Sequence, residues 1–164
     1  MDEKRITVLG LGNVLLGDEG FGVHFVRLFA ERYRFPEGVR VVDGGTLGYM
    51  LLDDICSCEH LIVVDAIKTD AEPGSIYRFT MDEMEHYLPP PTSAHEVQFQ
   101  DVLVKAELIG QVPEVVFLCI TPGSYEEMNM ELTPRLRERL PLMETFVLKE
   151  LARFNIVPER IDHA

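Results

Sequence analysis

Basic residues are scarce in this chain. Fifteen Lys and Arg stand against 28 Asp and Glu in 164 residues, which gives a formal net charge of −13 at pH 7. Such an excess of negative charge repels phosphate backbones and anionic lipid surfaces. The sequence therefore predicts no nucleic-acid partner.

Cysteine is also rare, with only Cys56, Cys58 and Cys119. The first two are separated by one residue, which is too close for an unstrained disulfide and differs from the CxxC spacing of redox and zinc pairs. An odd cysteine count in an acidic chain favours a reducing compartment, so we expect a cytoplasmic protein.

Long apolar runs are missing as well. No stretch reaches the length of a membrane span, and the short run after the charged N-terminus does not resemble a signal peptide. We therefore expect no membrane insertion. The length, with 46% hydrophobic and 26% charged residues, is that of one globular domain covering residues 1–164.

Short apolar runs alternate with helix-period segments along the chain. Five runs are predicted as strands: Ile6–Gly10, Val39–Asp43, Leu61–Asp65, Ile76–Phe79 and Val115–Ile120. Four stripes are predicted as helices: Gly22, Phe25, Val26, Phe29 and Tyr33; Leu47, Leu51 and Ile55; Phe99, Val102, Leu103, Ala106 and Ile109; and Leu136, Leu140, Met143, Val147, Leu151 and Phe154, where Pro141 kinks or restarts the helix.

This order predicts an α/β fold, a single-domain three-layer sandwich with helices on both faces of a mostly parallel five-stranded sheet. One connection is different. About ten residues link Asp65 to Ile76 and include Pro73-Gly74, which is short for a helical crossover. We therefore predict that Ile76–Phe79 is an antiparallel strand.

Acidic residues follow three of the predicted strands. Glu19 lies in the loop after the first strand, Asp43 ends the second and Asp65 ends the third. Ligands of open α/β sheets bind beyond the carboxyl ends of the strands, so these acids are candidate functional residues.

The glycines after the first strand also suggest a dinucleotide-binding loop. However, Leu15 stands where the third glycine of GxGxxG is expected, and Asp18 and Glu19 occupy the helix start that would bind pyrophosphate. Capping of the following helix explains Asp18 well but explains Glu19 less completely.

His95 is the histidine that stands out. Ser93-Ala94-His95-Glu96 matches a capping box, which puts His95 in the first turn of a helix. The positive end of a helix favours the neutral imidazole that metals require. Glu19, Asp65 and His95 are thus a candidate site for Ni, Zn, Co or Mn, among which the ligand types do not choose.

Covalent catalysis has weaker support. No serine lies in a GxSxG elbow. Neither Cys56 nor Cys58 has a base that the sequence identifies, although His60 is close along the chain.

Several motifs together resemble the hydrogenase maturation endopeptidases. They are the segment Val8–Val23, Asp43-Gly44-Gly45-Thr46, Leu61–Ala66, Ser93-Ala94-His95 and Leu132-Thr133-Pro134. They occur in the family's order between about Ile6 and Phe154. One departure is Gln98, where family members usually have a glycine three residues after the histidine.

The resemblance implies an aspartyl-type processing endopeptidase that removes a C-terminal extension from the precursor of a nickel–iron hydrogenase large subunit after nickel insertion. Nickel would arrive with the substrate, and zinc or another divalent ion could substitute. Glu19, Asp65 and His95 would hold the metal, Asp43 would act with Glu19 and Asp65 in catalysis, and Gly44, Gly45 and Thr46 would bind substrate.

Two other functions share parts of this pattern. A nickel-sensing chaperone that docks the precursor without cutting it would use the same motifs. A nucleotide-binding protein would use the glycines. The oligomeric state is left open by the sequence, with a monomer as the expectation.

Overall fold

The computed structural model describes residues 4–45, 52–87, 103–110, 112–124 and 128–161. Seven strands are present in this part of the chain: β1 (Ile6–Leu11), β2 (Tyr33–Arg34), β3 (Val39–Gly45), β4 (His60–Ala66), β5 (Ile76–Thr80), β6 (Glu114–Ile120) and β7 (Glu159–Arg160). Five of them form one sheet in the order β3-β1-β4-β6-β5.

The pairing directions confirm the predicted sheet. β1 pairs in parallel with β3 and β4, and β4 pairs in parallel with β6. β5 runs antiparallel to β6, as the short connection after β4 predicted. The small antiparallel sheet of β2 and β7 was not predicted, because two-residue strands are too short to show a hydrophobic period.

Helices cover both faces of the sheet. They are α1 (Phe21–Arg32), α2 (Leu52–Cys56), α3 (Met81–Tyr87), α4 (residues 103–109), α5 (Pro134–Arg137) and α6 (Leu140–Ala152), with a one-turn 3-10 helix at Gly17–Gly20. One core cluster packs α1, α5 and α6 on one face, and a second packs α2 and α4 on the other. The three-layer α/β architecture is therefore confirmed.

Most predicted helix stripes that fall in the described residues are buried. In α1 the stripe from Gly22 to Phe29 is buried, but the helix ends at Arg32, so Tyr33 is buried in β2 instead. The last helix is interrupted as predicted, with Pro141 in the first turn of α6.

One stripe differs from its prediction. Leu103 and Ala106 are buried, whereas Ile109 is 56% exposed in the last turn before Gly110, whose φ of +80° ends the helix. Leu47, Leu51, Phe99 and Val102 lie outside the described residues.

A buried carboxylate joins the antiparallel strand to α6. Glu150 is 6% exposed and accepts hydrogen bonds from Arg78 of β5 and, at 3.0 Å, from Arg153. Burial alone would raise the pKa of Glu150, but the hydrogen bonds and charges of the two arginines outweigh it and lower that pKa.

We expect Glu150→Gln to lower the free energy of unfolding by about 2 kcal/mol at neutral pH, because a buried charged acceptor is lost. The folded pKa is below the unfolded value of about 4.3. The contribution is therefore complete above that value and disappears as the pH falls through the folded pKa. Urea unfolding of both proteins across this range measures it. A difference that is the same at every pH would contradict the assignment.

Candidate active site

Two of the predicted acids lie at the same edge of the sheet. In the strand register, Gly10 of β1 is the partner of Asp43 in β3 and of Val64 in β4. Asp43 and Asp65 therefore both lie at the carboxyl ends of the two parallel strands that flank β1, where the sequence predicted a ligand site.

Close backbone packing brings Glu19 to this edge. Glu19 belongs to the 3-10 helix, which contacts β4. Gly12 has a φ of +137°, and a Cβ added there would be 2.0 Å from the carbonyl oxygen of Glu19. A Cβ at Gly22 would be 2.2 Å from the carbonyl oxygen of Val64. Only glycines allow the turn and the helix start to pack this tightly on the strand ends.

Glu19 and Asp65 are both buried carboxylates. Their exposed fractions are 9% and 5%. An Asp65 Oδ1 atom accepts the backbone N–H of Ala66 at 2.9 Å, which fixes one carboxylate oxygen at the strand end. Two carboxyl groups are thus buried on elements that touch, and burying such groups costs solvation energy unless they are paired or hydrogen-bonded.

Asp43 points to the other face of the sheet. Its side chain accepts a hydrogen bond from Nε of Arg27 in α1 at 2.9 Å. Asp65 instead pairs in register with Cys119, which belongs to the core cluster on the opposite face. The three predicted acids therefore share an edge but do not form one cluster.

The residues next to Asp43 have different surroundings. Gly44 is buried, and a Cβ there would be 2.7 Å from Leu9 Cδ1. Gly45 has a φ of +48°, and among the described residues the one atom within 4 Å of an added Cβ is Asp43 Oδ1 at 3.7 Å. Thr46 lies outside the described residues, so its predicted role is not examined by the structure.

His95 and Gln98 also lie outside the described residues. Within the part of the chain that the structure describes, no group of three or more His, Cys, Asp or Glu side chains could hold a metal ion. Of the three predicted metal ligands, Glu19 and Asp65 are therefore the two that lie in the described residues.

Asp18 was predicted to cap the helix that follows it, but the structure shows a different contact. The N-cap positions of the 3-10 helix and of α1 are Leu16 and Gly20. Asp18 is fully buried, and its carboxylate accepts N–H groups of Gly123, Ser124 and Thr133 at 2.8, 3.2 and 2.7 Å and the Thr133 hydroxyl at 2.8 Å. Because Thr133 is the N-cap of α5, the carboxylate binds the start of a distant helix.

The buried acids also argue against nucleotide binding. Asp18 and Glu19 fill the start of the first helical segment after β1, where a pyrophosphate lies in dinucleotide-binding folds. Anionic side chains at that point oppose a phosphate ligand.

Cysteine chemistry is not supported at this edge. Cys56 and Cys58 line a cavity of about 580 Å³ with Arg5 and Glu59, which lie at the amino ends of β1 and β4, away from the acids. Burial raises the pKa of the Cys58 thiol, which disfavours its thiolate. The His60 ring packs on Phe154, with centroids 4.1 Å apart.

Sequence reasoning missed Arg27 and the Thr133 contact. Arg27 is one exposed residue of an amphipathic helix, and its partner Asp43 is known only once α1 is placed over β3. Thr133 carries a weak signal, since Thr before Pro is typical of a helix N-cap.

Comparisons with known proteins identify the family and agree with the fold. A profile of the hydrogenase maturation protease family matches residues 23–150. The chain belongs to this family. Membership makes it a protease, and the sequence resemblance to the family is thereby confirmed.

Relatives match most of the chain. The hydrogenase expression/formation protein HoxM of Azotobacter vinelandii is 37% identical over 159 residues, covering 96% of this chain and 77% of the relative. The hydrogenase 2 maturation protease of Escherichia coli is 36% identical over 143 residues, covering 85% and 87%. The solved hydrogenase maturating endopeptidase HybD of E. coli is 32% identical with a TM-score of 0.89, covering 95% and 97%.

The described residues also contain no helix that is both long and apolar enough to cross a membrane.

We expect Asp18→Asn to lower the free energy of unfolding by about 3 kcal/mol, because an amide NH₂ would face buried N–H donors and leave them unsatisfied. Asp70→Asn is the matched control, since Asp70 is exposed, and it should change stability by less than about 0.5 kcal/mol. Urea unfolding of both variants provides the comparison. Equal stabilities would show that the Asp18 contacts contribute little.

Proposed function

We propose that this protease is a cytoplasmic endopeptidase that removes the C-terminal extension of a nickel–iron hydrogenase large-subunit precursor after nickel insertion. The observation that carries the proposal is the burial of Glu19 and Asp65 on two contacting elements, in a chain of the hydrogenase maturation protease family. The cytoplasm is supported by the three cysteines, none of which forms a disulfide.

The donor set fits a nickel ion that arrives with the substrate. Two carboxylates and the imidazole of His95 would provide oxygen and nitrogen ligands, which suit nickel, zinc and other borderline divalent ions. A bound ion of this kind polarises a carbonyl and activates a water molecule. The chain's own acids would position the precursor's metal, so cleavage would require a precursor that already contains nickel.

Asp43 would orient the substrate rather than hold the metal. It lies on the other face of the sheet from Asp65 and is paired with Arg27. Because Gly45 carries no side chain, an extended peptide would approach the end of β3 there, with Gly44 packed against Leu9 beneath it. The Asp43–Arg27 pair would place the peptide relative to Glu19 and Asp65.

We expect Glu19→Gln and Asp65→Asn to abolish cleavage while changing the free energy of unfolding by less than about 1 kcal/mol, because they remove charge and keep side-chain volume. Mass spectrometry of purified nickel-loaded precursor, mixed with each variant, measures the loss of the extension. Asp70→Asn is the control for an exposed acid and should cleave normally. If the wild type binds the precursor without any mass change, the chain is a non-cleaving binding module and the proposal is wrong.

The separation of Asp43 from Asp65 predicts different effects on metal binding. Asp65→Asn should weaken nickel binding by more than about tenfold, whereas Asp43→Asn should leave it nearly unchanged and still slow cleavage. Calorimetric titration with nickel, beside the cleavage assay, separates the two residues. Equal losses of nickel affinity would place both carboxylates in the metal site.

A further inference from the structure

Three arginines lie at alternate positions where α5 ends and α6 begins: Arg135, Arg137 and Arg139. None of the ion pairs in the described residues includes any of the three. Other arginines of the chain do pair with Asp or Glu, namely Arg5, Arg27, Arg32, Arg40, Arg78 and Arg153. A chain with 28 acidic residues thus leaves this basic patch uncompensated.

The helix ends explain one of these arginines and not another. Arg137 lies in the last turn of α5, where a cation is favoured, and its Nη2 atom donates to the Leu132 carbonyl oxygen at 3.4 Å. Arg139 is instead the N-cap residue of α6, where the positive end of the helix disfavours a cation.

The side chains of Arg135 and Arg139 meet at Gly74, and we call these two residues the arginine pair. A Cβ added to Gly74, whose φ is +91°, would be 3.1 Å from Arg135 Nε and 3.4 Å from Arg139 Nε. Arg135 Nε donates to the Pro73 carbonyl oxygen at 3.3 Å, whereas Arg139 Nε is buried and has no hydrogen-bond partner in the described residues. Two like charges are therefore held against one turn, an unfavourable arrangement that a bound anion would compensate.

The arginine pair lies at the carboxyl end of the sheet. The Gly74 N–H donates to the Thr121 carbonyl oxygen at 2.8 Å, and Thr121 directly follows β6. β6 runs parallel to β4, and its last residue, Ile120, is the register partner of Ala66, which follows Asp65. The pair is therefore at the end of the sheet where ligands of α/β folds bind.

We propose that the arginine pair binds a carboxylate side chain of the polypeptide on which this protease acts. The planar guanidinium group matches a carboxylate, to which it donates paired hydrogen bonds. A phosphate is disfavoured, because its larger negative charge is repelled more strongly by a chain of net charge −13. A second copy of this chain carries the same net charge and is disfavoured as well. The inference rests on the proposed function for the identity of the polypeptide.

The first test does not depend on cleavage. The peptide acetyl-Ala-Glu-Glu-Ala-amide is titrated into isotope-labelled protein, and NMR follows the Nε–Hε signals of Arg135 and Arg139. We expect both signals to shift and saturate, and the same peptide with Gln in place of Glu to shift neither.

Single variants locate the bound peptide. Arg139→Gln and, separately, Arg135→Gln should weaken its binding by about tenfold, because each removes a charged hydrogen-bond donor. Arg34→Gln is the matched control. Arg34 is exposed in β2, which belongs to the small second sheet, and its loss should leave the affinity unchanged.

The second test uses the nickel-loaded precursor, with cleavage followed by mass spectrometry. A contact away from the reacting bond contributes equally to substrate and transition-state binding, so Arg139→Gln should raise KM about tenfold and leave kcat nearly unchanged. Added salt should raise the KM of the wild type more than that of the variant, because the screened ion pair exists only in the wild type. Arg34→Gln should behave as the wild type does.

Other outcomes overturn the proposal. Equal shifts with the Glu and Gln peptides do so, as does an equal KM for Arg139→Gln and Arg34→Gln when circular dichroism shows both to be folded. Tighter binding of inorganic phosphate than of the peptide assigns the pair to a phosphate ligand, and a dimer that Arg139→Gln dissociates in light scattering assigns it to a second copy. If calorimetry shows that the wild type binds the precursor about tenfold more tightly than Arg139→Gln does, but no cleavage occurs, the carboxylate site stands and the proposed function fails.

Discussion

The candidate site depends on how closely the start of α1 approaches the sheet. At Gly22, an added Cβ would be 2.2 Å from the Val64 carbonyl oxygen and 2.4 Å from the Leu11 carbonyl oxygen. Any side chain at this position would push the helix away from β1 and β4. The 3-10 helix would move with it, and Glu19 would lose its position next to β4, the strand that carries Asp65. Gly22 therefore allows both the close packing of α1 on the sheet and the position of Glu19 next to β4.

Neighbouring acids in this fold have different tasks because their surroundings differ. Asp18 is surrounded by N–H and O–H donors, so its charge is compensated within the protein and its contribution is structural. Glu19 follows it immediately and is also buried, on an element that contacts β4. Likewise, Asp43 is partnered by an arginine, whereas Asp65 is buried beside the core of the opposite face. Sequence position alone does not distinguish the role of Asp18 from that of Glu19, or the role of Asp43 from that of Asp65.

Much of the fold was predictable because strand and helix periods are local properties. The continuous apolar runs gave the five main strands, and the short connection before Ile76 gave the antiparallel strand. The common edge of Asp43 and Asp65 also followed from parallel pairing. What could not be predicted were contacts between distant segments, such as Arg27 with Asp43 and Asp18 with Thr133. The face of the sheet on which Asp43 lies was partly predictable. Successive side chains of a strand point to opposite faces, so Asp43 shares a face with Val41 and not with Val42.

The Asp18 contacts also have a consequence for the order in which the molecule is made. The acceptor lies near the N-terminus, and its donors lie 105 to 115 residues later. A nascent chain that has emerged only as far as β6 has already produced Glu19 and Asp65, yet the donors that fix the turn before α1 are still unsynthesised. During translation, Glu19 and Asp65 are therefore synthesised before the residues that donate hydrogen bonds to Asp18. The turn that carries Glu19 therefore acquires its hydrogen-bond support only when the last helices have been added.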